Sequence, residues 1–468
     1  MGNKSRFSYT IQAFHEGVTG SCIMVCVNFP DGSVTRFLVD CGNYQGKEQY
    51  ESNFKFGFAP EKIDFVLVTH NHTDHTARLP LLIKKGFEGN IYTSHMNKVL
   101  MSPALYDSAK VLKSIAKLRN EKALYTEGDV KDTLGHISSM SYNKPQSVTD
   151  NITVTFLKNG HLLGASMIFV EFSFPGYESI YLLFTGDYSP KNTFFDVPEI
   201  PEWIRKLPIS IVIESTYGDR NTTDVEKVFS SNIIKAIKNR KTVMCPAFSQ
   251  GRAQEILYKL KCMQQTGELD RNIPIYIDGN LLIKYTEKYK KCEDITAAMR
   301  DFVPENSSYV TDDTRDDILK NSDQKIIVSS SGMGTYGPSQ VYIPELITRR
   351  NVLIHFTGYL VEGSLGRDLI NAVEGNTLII GGRARKKMAD VRSTAEFSAH
   401  AKADELIEFL QQFADLKMVL INHGEPKTKE VFAARVLEEV DTKNVGILGG
   451  EYAFRNDRYG YVKSLYCN

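Results

Sequence analysis

An apolar run, Ile63-Asp64-Phe65-Val66-Leu67-Val68, breaks off at His70-Asn71-His72-Thr73-Asp74-His75, and no other feature of the sequence constrains the fold as tightly. A run of that length reads as a buried strand delivering a polar loop. Alternation along an extended segment turns His70 and His72 to one side, and a turn presents Asp74 and His75 to another. Imidazole and carboxylate are the ligands zinc prefers, so one such loop can serve two ions. Ala77 to Lys85 then shows helical periodicity and closes at Gly86, a residue at ease with the positive φ of a helix end. Strand, loop and helix in that order indicate an α/β chain.

The same arrangement recurs. Asp40 follows the strand-like Thr35 to Val39, His161 follows Ile152 to Leu157, Asp187 follows Ile180 to Phe184, Glu214 follows Ile209 to Ile213, and His423 follows Met418 to Ile421. A single histidine at a strand end is more often structural than a ligand. Five of only ten histidines in such positions, counting His70, His72 and His75, point to a shared centre.

Composition excludes several alternatives. Lys+Arg and Asp+Glu both total 56, so attraction to a polyanion has to come from local patches and bound metal. Seven cysteines, odd in number and never spaced as CxxC, suggest neither a disulfide framework nor a cysteine zinc site, and fit a reducing cytoplasm. The opening MGNKSRFSYTIQAFH has no apolar core of a signal peptide, and no stretch approaches the ~18 apolar residues of a membrane span. The expectation is a soluble cytoplasmic protein, with the sequons at Asn151, Asn221 and Asn306 arising by chance.

The N-terminal part reads as strands (Phe7 to Phe14, Ser21 to Asn28, Thr35 to Val39), and Tyr92 to Leu134 reads as helical and charged. After Glu214 the texture shifts to alternating helices and apolar strands: a helix over Val225 to Asn239, then Thr242 to Pro246, Ile273 to Ile277, Lys325 to Ser329 and Val352 to Phe356. That pattern predicts a parallel α/β unit. The strand-then-histidine style returns near Val391 to His400, a helix over Ala403 to Phe413, and His423-Gly424-Glu425, so the middle unit reads as an insertion.

The ordered set Asp40, His70 to His75, His161, Asp187 and His423 resembles the metallo-β-lactamase superfamily. The resemblance implies one zinc on His70, His72 and His161, a second on Asp74, His75 and His423, Asp187 as bridge, and Asp40 accepting the remaining N–H of a ligand imidazole. It is closer still to the β-CASP branch, which processes nucleic acids and includes RNase J and the endonuclease subunit of pre-mRNA 3′-end cleavage. Glu214 in Glu214-Ser215-Thr216-Tyr217-Gly218, His400 in Phe397-Ser398-Ala399-His400, and His423 match its three added motifs, and Pro246 to Glu255, Gly358 to Gly366 and Asp390-Val391-Arg392 also look like this family. The implied fold is an αββα sandwich with an inserted parallel α/β β-CASP domain. The expected boundaries are 1–218 and 388–468 for the two parts of the metallo-β-lactamase domain and 219–387 for the insert.

By the same resemblance the activity is hydrolysis of RNA phosphodiester bonds by a metal-bridged hydroxide. The catalytic residues would be Asp74, His400 as general acid and Glu214 orienting it. Ser330, Ser331 and Gly332, in Ser329-Ser330-Ser331-Gly332-Met333-Gly334, and Arg383, in Arg383-Ala384-Arg385-Lys386-Lys387, are expected to meet substrate phosphates, although Ser331 stands where the family usually has proline. The expected partner is single-stranded RNA, and self-association as a homodimer stays open. The alternatives are a hydrolase of a small ester, lactone or thioester, and a DNA nuclease.

Overall fold

A computed structural model describes residues 7–45, 51–358, 360–442, 444–449, 452–457 and 460–466. Tyr359 of the segment Gly358 to Gly366 and the first six residues of the opening stretch lie outside them. The chain divides into two compact units, one of Met1–Asn192, Asp196–Thr222 and His400–Asn468, the other of Thr193–Phe195 and Thr223–Ala399.

The first unit holds two large sheets. One runs Gly460–Tyr466, Tyr452–Asp457, Ser8–Ala13, Ile23–Asn28, Val34–Val39, Phe65–Leu67, Asn90–Ser94, Ile137–Met140. The other runs Val445–Ile447, Asp415–Ile421, Pro208–Ile213, Ile180–Phe184, Ser166–Phe172, Ile152–Lys158, Gln146–Thr149. Ile23–Asn28 alternates buried and half-buried side chains and pairs antiparallel with Val34–Val39, with Ile23 opposite Val39. From Val34–Val39 onward that sheet is parallel, as is the other from Ile180–Phe184 to Val445–Ile447. Parallel neighbours need crossovers, and several of the crossovers carry the helices that cover the outer faces.

Three apolar layers follow. Val25, Phe37 and Phe65 face Phe156, Ile168, Phe172 and Leu182 between the sheets, with the Phe37 and Phe65 rings stacked at 4.8 Å. Leu82, Met101, Leu105 and Val130 of helices Leu79–Lys84, His95–Arg119 and Glu127–His136 seal one outer face. Leu406, Phe409, Phe432 and Val436 of helices Ala403–Leu410 and Pro426–Glu439 seal the other. The result is the expected αββα sandwich.

The second unit is built on one six-stranded sheet in the order Ser307–Tyr309, Ile275–Asp278, Ile326–Ser329, Thr242–Pro246, Val352–Phe356, Asp390–Ser393. Every pairing in it is parallel. Its inner strands are buried on both faces, which is why they read as continuous apolar runs.

Several details differ from the sequence reading. Asp390–Ser393 pairs with Val352–Phe356, so this sheet extends past residue 387; as a short polar edge strand it carries no apolar signal. The segment read as helical from Tyr92 starts with the strand Asn90–Ser94, and the helix begins at His95 with Ser94 as its cap. The helix expected over Ala77 to Lys85 is Leu79–Lys84, preceded by the short turn Thr73–Thr76. Arg383–Lys386 is one strand of a hairpin with Thr377–Ile380. Among the described residues no helix is long and apolar enough to cross a membrane.

Candidate metal centre and catalytic pair

Each candidate ligand sits just past the end of a strand of the first unit. A chain leaving a sheet must turn, and two of these turns use left-handed backbone. Asp40 has φ 62° and His423 φ 47°, conformations uncommon outside glycine. Gly186, at φ 55°, precedes Asp187, and a Cβ there would lie 2.8 Å from the Thr69 side chain. Gly42 passes so close to the ligand loop that a Cβ would fall 1.6 Å from the Asp74 carbonyl oxygen. Main-chain bonds tie the same loops together: Ser21 N–H donates to Asp74 O and Cys41 N–H to His75 O, both at 2.8 Å.

The side chains converge. One ligand atom from each of His70, His72, His161 and Asp187 lies within 4.8 Å of the others, and the same holds for Asp74, His75 and His423. Asp187 stands between the groups. Its Oδ2 is 3.5 Å from Nε2 of both His70 and His161, and its Oδ1 is 3.3 Å from His75 Nε2 and 3.2 Å from His423 Nδ1. Asp74 Oδ2 reaches 4.0 Å from His75 Nε2 and 3.9 Å from His423 Nε2.

The Nε2 atoms of His70, His75 and His423 are buried and make no hydrogen bond of acceptable geometry. Leaving a buried nitrogen in that state costs roughly 1–3 kcal/mol. Three of them gathered around two carboxylates is the donor set of a divalent cation, and these residues therefore fit zinc.

Residues behind the ligands orient them. Asp40 accepts from His75 Nδ1 at 2.7 Å, from Thr69 N–H at 2.8 Å and from the Thr69 hydroxyl at 2.8 Å. The His75 proton is thereby fixed on Nδ1 and Nε2 faces the centre. The Thr69 hydroxyl, its own proton given to Asp40, stands 3.1 Å from His70 Nδ1 and can accept from it. Asn159 braces the His161 and Asp187 turns, accepting from His161 N–H at 2.7 Å and donating to Asp187 O at 2.7 Å. Thr69 and Asn159 carry no signal of their own in the sequence. Their position directly before His70 and two residues before His161 is the only clue.

Electrostatics follow from burial and charge. Burial, with the neighbouring His75, holds His70 well below the ordinary histidine range, and burial lowers His72 to about 4. Both are neutral and able to ligate at pH 7. Burial works to raise Asp187, yet the charges of His423 and His75 hold it well below the usual carboxylate range. For His75 burial is likewise outweighed, here by Asp187 and Asp40, and its pKa rises well above the ordinary value.

His400 and Glu214 form a separate pair at the rim. His400 Nδ1 lies 2.8 Å and 3.0 Å from the two Glu214 carboxylate oxygens, and its Nε2 is 4.0 Å from Asp187 Oδ2. Glu214 is buried and also accepts from the main-chain N–H groups of Tyr188 and Thr216. The His400 side chain keeps 18% of its surface exposed, whereas that of Glu214 keeps 1%. The histidine is thus open to a ligand while its anchor is not.

Ser330, Ser331, Gly332 and Arg383 belong to the second unit. Ser330–Gly332 follow the strand Ile326–Ser329; the Ser331 hydroxyl accepts from Tyr336 N–H at 3.2 Å, and a Cβ on Gly332 would lie 2.9 Å from Phe248 N. Arg383 is exposed in its hairpin, while Arg385 pairs with Glu345 at 2.7 Å and the Lys387 amine is spent on the Leu369 carbonyl.

A sandwich whose strand ends gather histidines around shared carboxylates, and whose chain detours through a parallel α/β unit, defines a metallo-β-lactamase-type hydrolase. Comparison with known families agrees piece by piece. Residues 16–152 match the metallo-beta-lactamase superfamily, 253–369 the Beta-Casp domain, and 385–447 the Zn-dependent metallo-hydrolase RNA specificity domain. The chain belongs to the β-CASP family of metal-dependent ribonucleases, as its motifs led us to expect. Ribonuclease TTHA0252 of Thermus thermophilus is 29% identical over 404 residues, covering 83% of this chain and 88% of the relative. An RNase J-like protein of Methanocaldococcus jannaschii is 28% identical, covering 86% and 90%. Transcription termination factor FttA of Methanosarcina mazei is 27% identical over 87% of this chain, which spans 66% of that relative's length.

Proposed function

We propose that this chain hydrolyses phosphodiester bonds in single-stranded RNA with two zinc ions, one on His70, His72 and His161 and one on Asp74, His75 and His423, with Asp187 between them. The carrying observation is the His400–Glu214 pair at the rim of the ligand cluster, since a simple small-molecule hydrolase needs no second histidine held there. When bound, paired divalent ions neutralise charge building on phosphoryl oxygens and lower the pKa of water toward ~7.

The chain's own residues do the rest. Glu214 accepts the Nδ1 proton of His400, so Nε2 is the atom that exchanges a proton with substrate. As the P–O3′ bond breaks, the leaving 3′-oxygen takes the Nε2 proton, and imidazolium returns to imidazole. Water supplies the new P–O bond and its proton goes to solvent. On this reading the Ser330–Gly332 turn and the exposed Arg383 contact backbone phosphates, and residues 219–387, continued by the edge strand Asp390–Ser393, form the inserted core.

The test is cleavage of linear and circular RNA, matched DNA and a lactone, with and without chelator. RNA cleavage abolished by chelator and restored by zinc is expected. Turnover of the lactone alone, or cleavage indifferent to chelator, overturns the reading. His400→Ala should lose about 10²–10⁴-fold in rate with its zinc retained; an unchanged rate removes His400 from the mechanism.

A further inference from the structure

Lys402 occupies a position that local chemistry disfavours. It is the N-cap of helix Ala403–Leu410, where a side-chain oxygen is preferred and an ammonium cannot accept from the helix N–H groups. It also sets a positive charge at the positive end of the helix dipole. The residue is only 5% exposed, so its ammonium has to be paired inside the protein. A side chain that breaks two local rules at once marks a place where something other than helix stability is served.

The contacts show what that is. The Lys402 amine turns back and donates to the main-chain carbonyl of His400 at 2.8 Å, and it lies 4.3 Å from the centre of the Tyr217 ring, which is itself buried. The Tyr217 ring meets the His400 imidazole edge-on at 6.1 Å. Arg220 stacks over the same ring at 4.9 Å, and the Tyr217 and Lys402 main chains form an isolated parallel bridge. His400 is therefore held at three points: Nδ1 by Glu214, the ring by Tyr217, and the backbone by Lys402.

We infer that Lys402, seated on Tyr217, is a positioning residue for His400, fixing the peptide from which the imidazole swings so that Nε2 stays aimed at the leaving oxygen. The inference rests on the reading of His400 as proton donor. A geometry loosened by 1 Å costs on the order of 10²-fold in such reactions, so the anchor acts on turnover and not on RNA binding or metal content.

The experiment compares wild type, Lys402→Met, Lys402→Ser, Tyr217→Phe, Tyr217→Leu and His400→Ala, all as full-length zinc-loaded protein, on single-stranded RNA. Lys402→Met, Lys402→Ser and Tyr217→Leu should lose at least about tenfold in kcat with KM and zinc content unchanged, and Tyr217→Phe, which keeps the ring, should stay near wild type. Lys402→Ser supplies a proper cap and should melt no lower than wild type, so activity and stability move apart. On RNA with a 3′-bridging sulfur at the scissile bond the deficits should shrink to about twofold or less, because a thiolate leaves without a proton. Full kcat in the Lys402 and Tyr217→Leu variants while His400→Ala is inactive overturns this inference alone. A deficit equally large on the sulfur substrate also overturns it. His400→Ala turning over normally overturns the proton-donor reading and this inference with it.

Discussion

At the scale of single residues, the centre depends on side chains that never touch a cation. Asp40 fixes the tautomer of His75, and in Asp40→Asn the amide cannot accept all three of its bonds. Zinc affinity should fall roughly 10–100-fold, read by competition with a chromogenic chelator; unchanged affinity would show that His75 orients itself. In the second unit, buried His355 is neutral for a defined reason: Nδ1–H donates to the Phe356 carbonyl at 3.1 Å and Nε2 accepts from the Asn232 amide at 3.1 Å. Burial pushes its pKa down from 6.5 to about 4. The unfolded chain thus binds a proton more readily than the folded one, and this contribution to stability is complete above pH 6.5 and is lost as pH falls from there toward 4. By pH 5 the loss is about 2 kcal/mol, so urea midpoints at pH 7.5 and 5.0 should differ more in wild type than in His355→Gln. Equal differences would mean that other groups govern the acid limb.

At the scale of elements, close backbone approach sets the geometry that the ligands inherit. Gly42 is the clearest instance, since a methyl group there would collide with the Asp74 carbonyl. Gly42→Ala should lower both melting temperature and zinc content, whereas Gly17→Ala, with nothing within 4 Å of the added methyl, should leave zinc content unchanged. A normally loaded Gly42→Ala protein would show the loop free to retreat. Much of this level was legible in sequence. The strands ending at Val39, Phe184, Ile213 and Ile421 were read because apolar runs end where a charged or imidazole side chain begins. Ser166–Phe172, equally buried, went unread because no ligand follows it to draw attention. Asp390–Ser393 was missed as a strand because an edge strand need not be apolar. Lys402 and Tyr217 were invisible as partners of His400, for their link is spatial and neither residue type advertises it.

At the scale of the whole molecule, every candidate ligand and the His400–Glu214 pair lie in one of the two units. Metal should therefore stabilise that unit by mass action. Hydrogen exchange with and without zinc should show its largest protection changes within 7–192, 196–222 and 400–449. Equal or greater changes across 223–399 would contradict the assignment of the ligands.

Glu214 and His400 touch across 186 positions of sequence, and the interval is filled by a sheet with its own apolar core. A ribosome must therefore finish an entire layer of protein with its own apolar core before His400 and the final imidazole, His423, are even polymerised. Until then a growing chain carries six of the seven candidate ligands, His70, His72, Asp74, His75, His161 and Asp187, without the seventh or the imidazole that faces Glu214, so on the proposed reading no complete centre stands beside its own messenger.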